Sequence, residues 1–182
     1  MTREETKQIL QILRLNYPNS FKGLSDKDTF DFLDLWSEAF KDDDVKIVVM
    51  AVKSIIYTDT REFYPNIATV KKEMYKITHH DALNEYEAWA LVLKALRESK
   101  WASNEEFEKL PNEVQKAVGS ADNLKEWAWI EDSSLSTVVA SNFYKAYRKI
   151  QDDDFKIMAL PNDIKKELRL QHKEAIGIDY KK

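Results

Sequence analysis

The stretch "HHD" at residues 79–81 is where this chain comes nearest to a ligand cluster. Histidine nitrogens and a carboxylate can hold a metal ion, but neighbouring residues on a helix point about 100° apart, so His79 and His80 are poorly placed to chelate one ion. A solvated helix corner suits them better. The aspartate triplets at 42–44 and 152–154 could attract a divalent cation, yet neither has the alternating oxygens and turn glycine of a calcium loop. They read instead as helix-capping carboxylates. The tryptophans at 36, 89, 101, 127 and 129 could stack on nucleic-acid bases, or could fill a core. Most fall on apolar helical stripes and are expected in the core. Trp127 and Trp129 are two apart and cannot both face one core from a helix, so one of them is expected at an interface. In "SNFYKAYRKI", Lys145, Arg148 and Lys149 stand beside Tyr144 and Tyr147. This is a candidate nucleic-acid contact, with a solvated helix face as the commoner alternative.

Other chemistries are excluded by composition. There is no cysteine, so disulfides, thiol catalysis and Cys-ligated zinc do not arise. Three scattered glycines cannot build a phosphate-binding loop, and no HExxH or GxSxG motif is present. The residues therefore offer no catalytic, cofactor-binding or metal-binding set, and the expectation is a protein that is not an enzyme.

The elements that must carry these residues are helical. Three glycines and four prolines leave little material for β-turns, and no segment alternates with period two. Thr2 with Glu5, and Ser25 with Asp28, have the spacing of capping boxes. Ile9, Ile12, Leu13 and Tyr17 form the apolar stripe of a first helix; Phe32, Leu33, Trp36 and Phe40 form that of a second. "VKIVVMAVKSIIY" is apolar on nearly every side, as befits a central helix. Pro65 and Asn66 then open a fourth, with Ile67, Val70, Met74 and Ile77 on one face. Thr78 and Asp81 suggest a box opening a long helix over 81–99, striped by Ala82, Tyr86, Trp89, Leu93 and Leu96. Short helices are expected over 103–110 and 111–118, the latter stopped by Gly119. A long helix over 134–150 should bury Leu135, Val139, Phe143, Ala146 and Ile150. A weak helix over 162–173 follows Pro161.

The reading is an all-α fold: a bundle over 1–78, a second helical domain over 79–154 and a basic, partly helical tail over 155–182. Charge is uneven. Residues 81–154 hold nine basic and fifteen acidic side chains, net −6, which disfavours a broad grip on DNA. Residues 155–182 hold seven and four, net +3. No apolar run reaches the roughly 18–20 residues needed to span a bilayer. The first ten residues lack a secretory apolar core. A cytoplasmic protein without membrane contact is expected. The apolar residues Phe155, Ile157, Met158, Leu160, Ile164 and Leu168 can either pack back on the domain or order against a partner.

Residues 1–77 resemble the N-terminal domain of phage replicative-helicase loaders, the loader-and-inhibitor family of Bacillus phages. The resemblance is carried by "YP" at 17–18 with Phe21, "LWSEAFKDDD" at 35–44, "AVKSIIYT" at 51–58 and "FYPNIATVKKEM" at 63–74. The chain departs from the pattern at Tyr64, where a first proline is frequent, and at Thr69, where an acid is frequent. Neither change disturbs the helix start. "EAW" at 87–89, "LPNEVQKAVGS" at 110–120, "LKEWA" at 124–128 and "SNFYKAY" at 141–147 resemble longer phage members. The resemblance implies an adaptor that binds a DnaB-type hexameric helicase, restrains it and delivers it to an origin marked by a phage initiator protein. Direct DNA binding would be weak or absent, and the setting would be the bacterial cytoplasm. Trp127, Trp129 and the apolar tail residues are then the candidate partner-binding set. The alternative reading is a nucleic-acid-binding module of phage replication or packaging.

Overall fold

A computed structural model describes the backbone of residues 1–176 and the side chains of residues 1–171. It is all-α, with no strand among the described residues. The last residues of the predicted tail, 177–182, lie outside the described residues. Contacts divide the chain into two compact units: residues 1–80 with the described residues from Lys156 on, and residues 81–155.

The first unit is built on helices α1 (Arg3–Asn16), α2 (Asp26–Phe40), α3 (Val45–Thr58) and α4 (Ile67–Thr78). Both predicted boxes form: the Thr2 and Ser25 side chains accept from the backbone N–H of Glu5 and Asp28, whose carboxylates reach back to the cap N–H. Asp44 caps α3 and Asn66 caps α4. The core gathers Ile9, Leu13 and Tyr17 of the first stripe with Trp36, Phe40, Val48, Ala51, Val52, Ile55, Val70 and Met74. The corner before α4 is split in its roles. The Tyr64 ring packs 5.2 Å from Phe21 and 5.4 Å from Phe32, and Pro65 is buried. Phe63 stays in solvent at 76% exposure. The corner therefore spends one aromatic on closing the bundle and leaves the other outside.

The second unit holds α5 (Glu85–Leu96), α6 (Ser99–Glu108), α7 (Asn112–Val118), α8 (Ala121–Trp127), the short α9 (Asp132–Ser134) and most of α10 (Ala140–Ala159). Three expectations are corrected here. The Thr78–Asp81 spacing is not a box: Thr78 ends α4, and its hydroxyl donates to the carbonyls of Met74 and Tyr75. The working box is Asn84 with Glu87, so the helix starts later. Its buried face is Ala88, Trp89, Val92, Ala95 and Leu96, while Tyr86 and Leu93 are exposed. Trp89 and Leu96 of the expected stripe are buried, and Ala88, Val92 and Ala95 complete the face in place of Ala82, Tyr86 and Leu93.

The long helix over 134–150 is also different. Residues Leu135–Val139 form one π-turn, in which the Ala140 N–H reaches back five residues to the Leu135 carbonyl. The extra residue shifts the helix phase by about 100°. The inward residues after it are Ala140, Phe143 and Tyr147, with Val139, Ala146 and Ile150 only half-buried. The third correction is the end of that helix: α10 runs through "QDDD" to Ala159, so these aspartates stop nothing. Helix α7 ends as predicted at Gly119, which takes φ +91°.

Candidate functional site

"KDDD" at residues 41–44 shows how the first unit holds its own last helix, α11 (Asn162–Ile176). The Lys41 ammonium donates to Glu38 and, at 2.8 Å, to Asp163. These two carboxylates, Asp163 foremost, push its pKa up, and Lys41 in turn lowers that of Asp163. Asp42 accepts the Asn162 N–H at 2.7 Å. Asp43 is ion-paired to Lys71, and Asp44 accepts the Lys46 N–H at 2.8 Å. Each aspartate thus has a structural partner.

Along the chain from α10 into α11, Phe155, Met158 and Leu160 are half-buried, while Ile157, Ile164 and Leu168 are exposed. Ile164 and Leu168 are one turn apart and share a face of α11. Apolar residues at this spacing are the anchors of helix-in-groove recognition.

In the second unit the candidate tryptophans separate. Trp127 is half-buried, with its ring 6.2 Å from that of Trp89. Trp129 is 63% exposed, and the Lys100 ammonium lies 4.6 Å from its ring centre. Trp101, expected in the core, is 86% exposed. Just after it, the backbone at Ala102 leaves helical geometry (φ −127°, ψ 43°).

The two tyrosines in the basic stretch of α10 are buried or half-buried. Tyr147 is buried, and its hydroxyl donates to the Leu83 carbonyl at 3.0 Å. Tyr144 is half-buried against Tyr86 and Trp89, and burial pushes its phenol pKa up. Arg148 is held by Glu85 at 2.5 Å. Lys145 and Lys149 are exposed. At the "HHD" corner the His79 ring stacks on Tyr75, 4.1 Å between centres. Among the described residues no group of three His, Asp or Glu side chains is placed to hold a metal ion.

The bundle of the first unit, with its two boxes, the "KDDD" joint and the aromatic-proline corner, has a counterpart among known families. Residues 1–71 match the N-terminal domain of the gp39 protein family. That family is one of phage helicase loaders and inhibitors, regulators of a helicase rather than known enzymes. The gp39 match spans α1 to α3 and the first turn of α4, and ends at Lys71. The motifs at 87–147 lie beyond it. No curated protein and no solved structure matches the chain. No helix among the described residues is long and apolar enough to cross a membrane.

Proposed function

We propose that this chain is a phage replication adaptor that binds the hexameric replicative helicase, restrains it and loads it at the origin. The observation that carries the reading is the match of residues 1–71 to the gp39 N-terminal domain. The adaptor works by differential binding. It favours one state of the helicase ring and is released when the ring engages DNA and changes state. A phage initiator bound at the origin supplies the address. The work is done in the cytoplasm of the bacterial host, and it needs no covalent chemistry from the adaptor.

The contact to the ring is assigned to the apolar stretch at the end of α10 and the face of α11. Phe155, Ile157, Met158, Leu160, Ile164 and Leu168 supply apolar area, and the exposed three, Ile157, Ile164 and Leu168, supply the first contact. The net charge of −6 over residues 81–154 supports a protein partner over DNA.

Size-exclusion chromatography of the purified chain with the purified hexameric helicase tests the reading. The chain is expected in the hexamer peak. Ile164→Asp with Leu168→Asp should weaken binding at least tenfold, about 1.4 kcal/mol. Separate elution of the two wild-type proteins at micromolar concentration overturns the reading. Tight salt-sensitive binding of DNA by the chain alone would favour a nucleic-acid-binding module instead.

A further inference from the structure

The second unit lies outside the gp39 match, and its surface carries a feature that its core does not require. Of the five tryptophans, Trp36 and Trp89 are buried and Trp127 is half-buried, while Trp101 and Trp129 stand in solvent. The two exposed indoles lie in the same part of the unit. Lys100, the residue before Trp101, holds its ammonium over the Trp129 ring. The helix breaks at Ala102, immediately after Trp101, so the indole is carried on a local turn and not on an inward stripe. Indoles are large and rigid and carry an N–H donor, which is why exposed tryptophans act as anchors at protein interfaces.

The charge around them selects the partner. Glu98, Glu105, Glu126 and Glu131 are exposed within a few residues of the two indoles. Beside them the exposed cations are Arg97 and Lys125; Lys100 is engaged with the Trp129 ring. The unit as a whole has nine basic and fifteen acidic side chains, net −6. Phosphate backbones are repelled by such a field, and a protein face bearing lysines and arginines is attracted.

We propose that Trp101 and Trp129 anchor a second contact surface, which takes a basic face of the helicase partner. This rests on the adaptor reading given above. The surface is separate in sequence from the apolar stretch of α10 and α11, so the chain would hold its partner at two places and gain avidity from the pair.

The test measures the affinity of purified hexameric helicase for the full chain, for Trp101→Ala with Trp129→Ala, and for Glu126→Lys with Glu131→Lys. Melting temperatures check that the variants fold. The indole variant should lose at least tenfold in affinity with its melting temperature unchanged, because neither side chain lies in the core. The charge variant should bind more weakly and lose part of the salt dependence of the wild type. Equal affinity of wild type and both variants overturns the proposal while leaving the adaptor reading in place. Failure of the wild type to bind overturns both. A fluorescent single-stranded oligonucleotide forms the last arm: binding that disappears in the indole variant would make the patch a base-stacking surface, and the proposal would fall.

Discussion

Lys71 of α4 is ion-paired to Asp43 in the loop before α3, and its ammonium lies 4.8 Å from the ring centre of Phe40 at the end of α2. The lysine is 5% exposed. One side chain thereby joins three elements of the gp39-matching domain. A cation buried this way needs its carboxylate, because an ammonium left without a partner inside a bundle bears its full desolvation cost. Asp43→Ala should destabilise the bundle on the order of 3 kcal/mol, whereas Lys71→Met, which removes the charge and keeps the volume, should cost much less. Urea unfolding of the two variants checks the order. Equal losses would mean that an unpaired ammonium at this site carries no special cost.

Trp36 sits at the centre of the same core, between the rings of Phe32 and Phe40 at 5.7 and 5.4 Å. Replacing it with alanine should cost about 3–5 kcal/mol, the range for a large buried aromatic. A melting temperature equal to that of the wild type would contradict the packing described here.

Acid should loosen the bundle through Glu73. The Ser54 hydroxyl donates to its carboxylate at 2.7 Å, tying α3 to α4, and Lys76 pairs with it from one turn on. The hydrogen bond from Ser54 is the first cause, and Lys76 adds to it, in holding this carboxyl below the usual glutamate value of 4.5. A carboxylate whose pKa is depressed on folding contributes stability that is complete above the unfolded value and disappears as pH falls through the folded one. Melting temperatures recorded from pH 7 down to pH 3 should therefore fall below about pH 4.5, and fall less steeply in Glu73→Gln. Parallel curves for the two proteins would remove Glu73 from the account.

Gly119 gives a test in the second unit. It takes φ +91°, and a Cβ there would stand 3.0 Å from Nδ2 of Asn123. That nitrogen is already committed, donating to the Val118 carbonyl at 2.9 Å. Gly119→Ala should cost about 1–3 kcal/mol from backbone strain, in addition to disturbing the joint between α7 and α8. A variant as stable as the wild type would show that the loop re-forms in another conformation.

Local signals hold at most caps, though the same spacing misleads at Thr78 and Asp81. The boxes at Thr2 and Ser25, the caps at Asp44 and Asn66, the proline corner and the glycine stop at 119 all rest on backbone groups within three or four residues. Their physics is contained in the sequence window that reveals them. The all-α class and the stripes of α1, α2 and α4 follow from the same short-range periodicity. What the sequence could not settle was phase and exposure. The spacing of Trp127 and Trp129 puts one of them outside without saying which; the structure exposes Trp129, and it also exposes Trp101, which reads as a core residue. Lys71 looks like a surface lysine on an amphipathic helix until the "KDDD" loop, nearly thirty residues earlier, folds beside it. The π-turn at 135–139 rotates the face of α10 by one residue, a shift that a sum over a helical window averages away. In each case the deciding partner is distant in the chain or the deviation is a single residue. The energy that selects it comes from packing between elements, which exists only once the tertiary structure has formed.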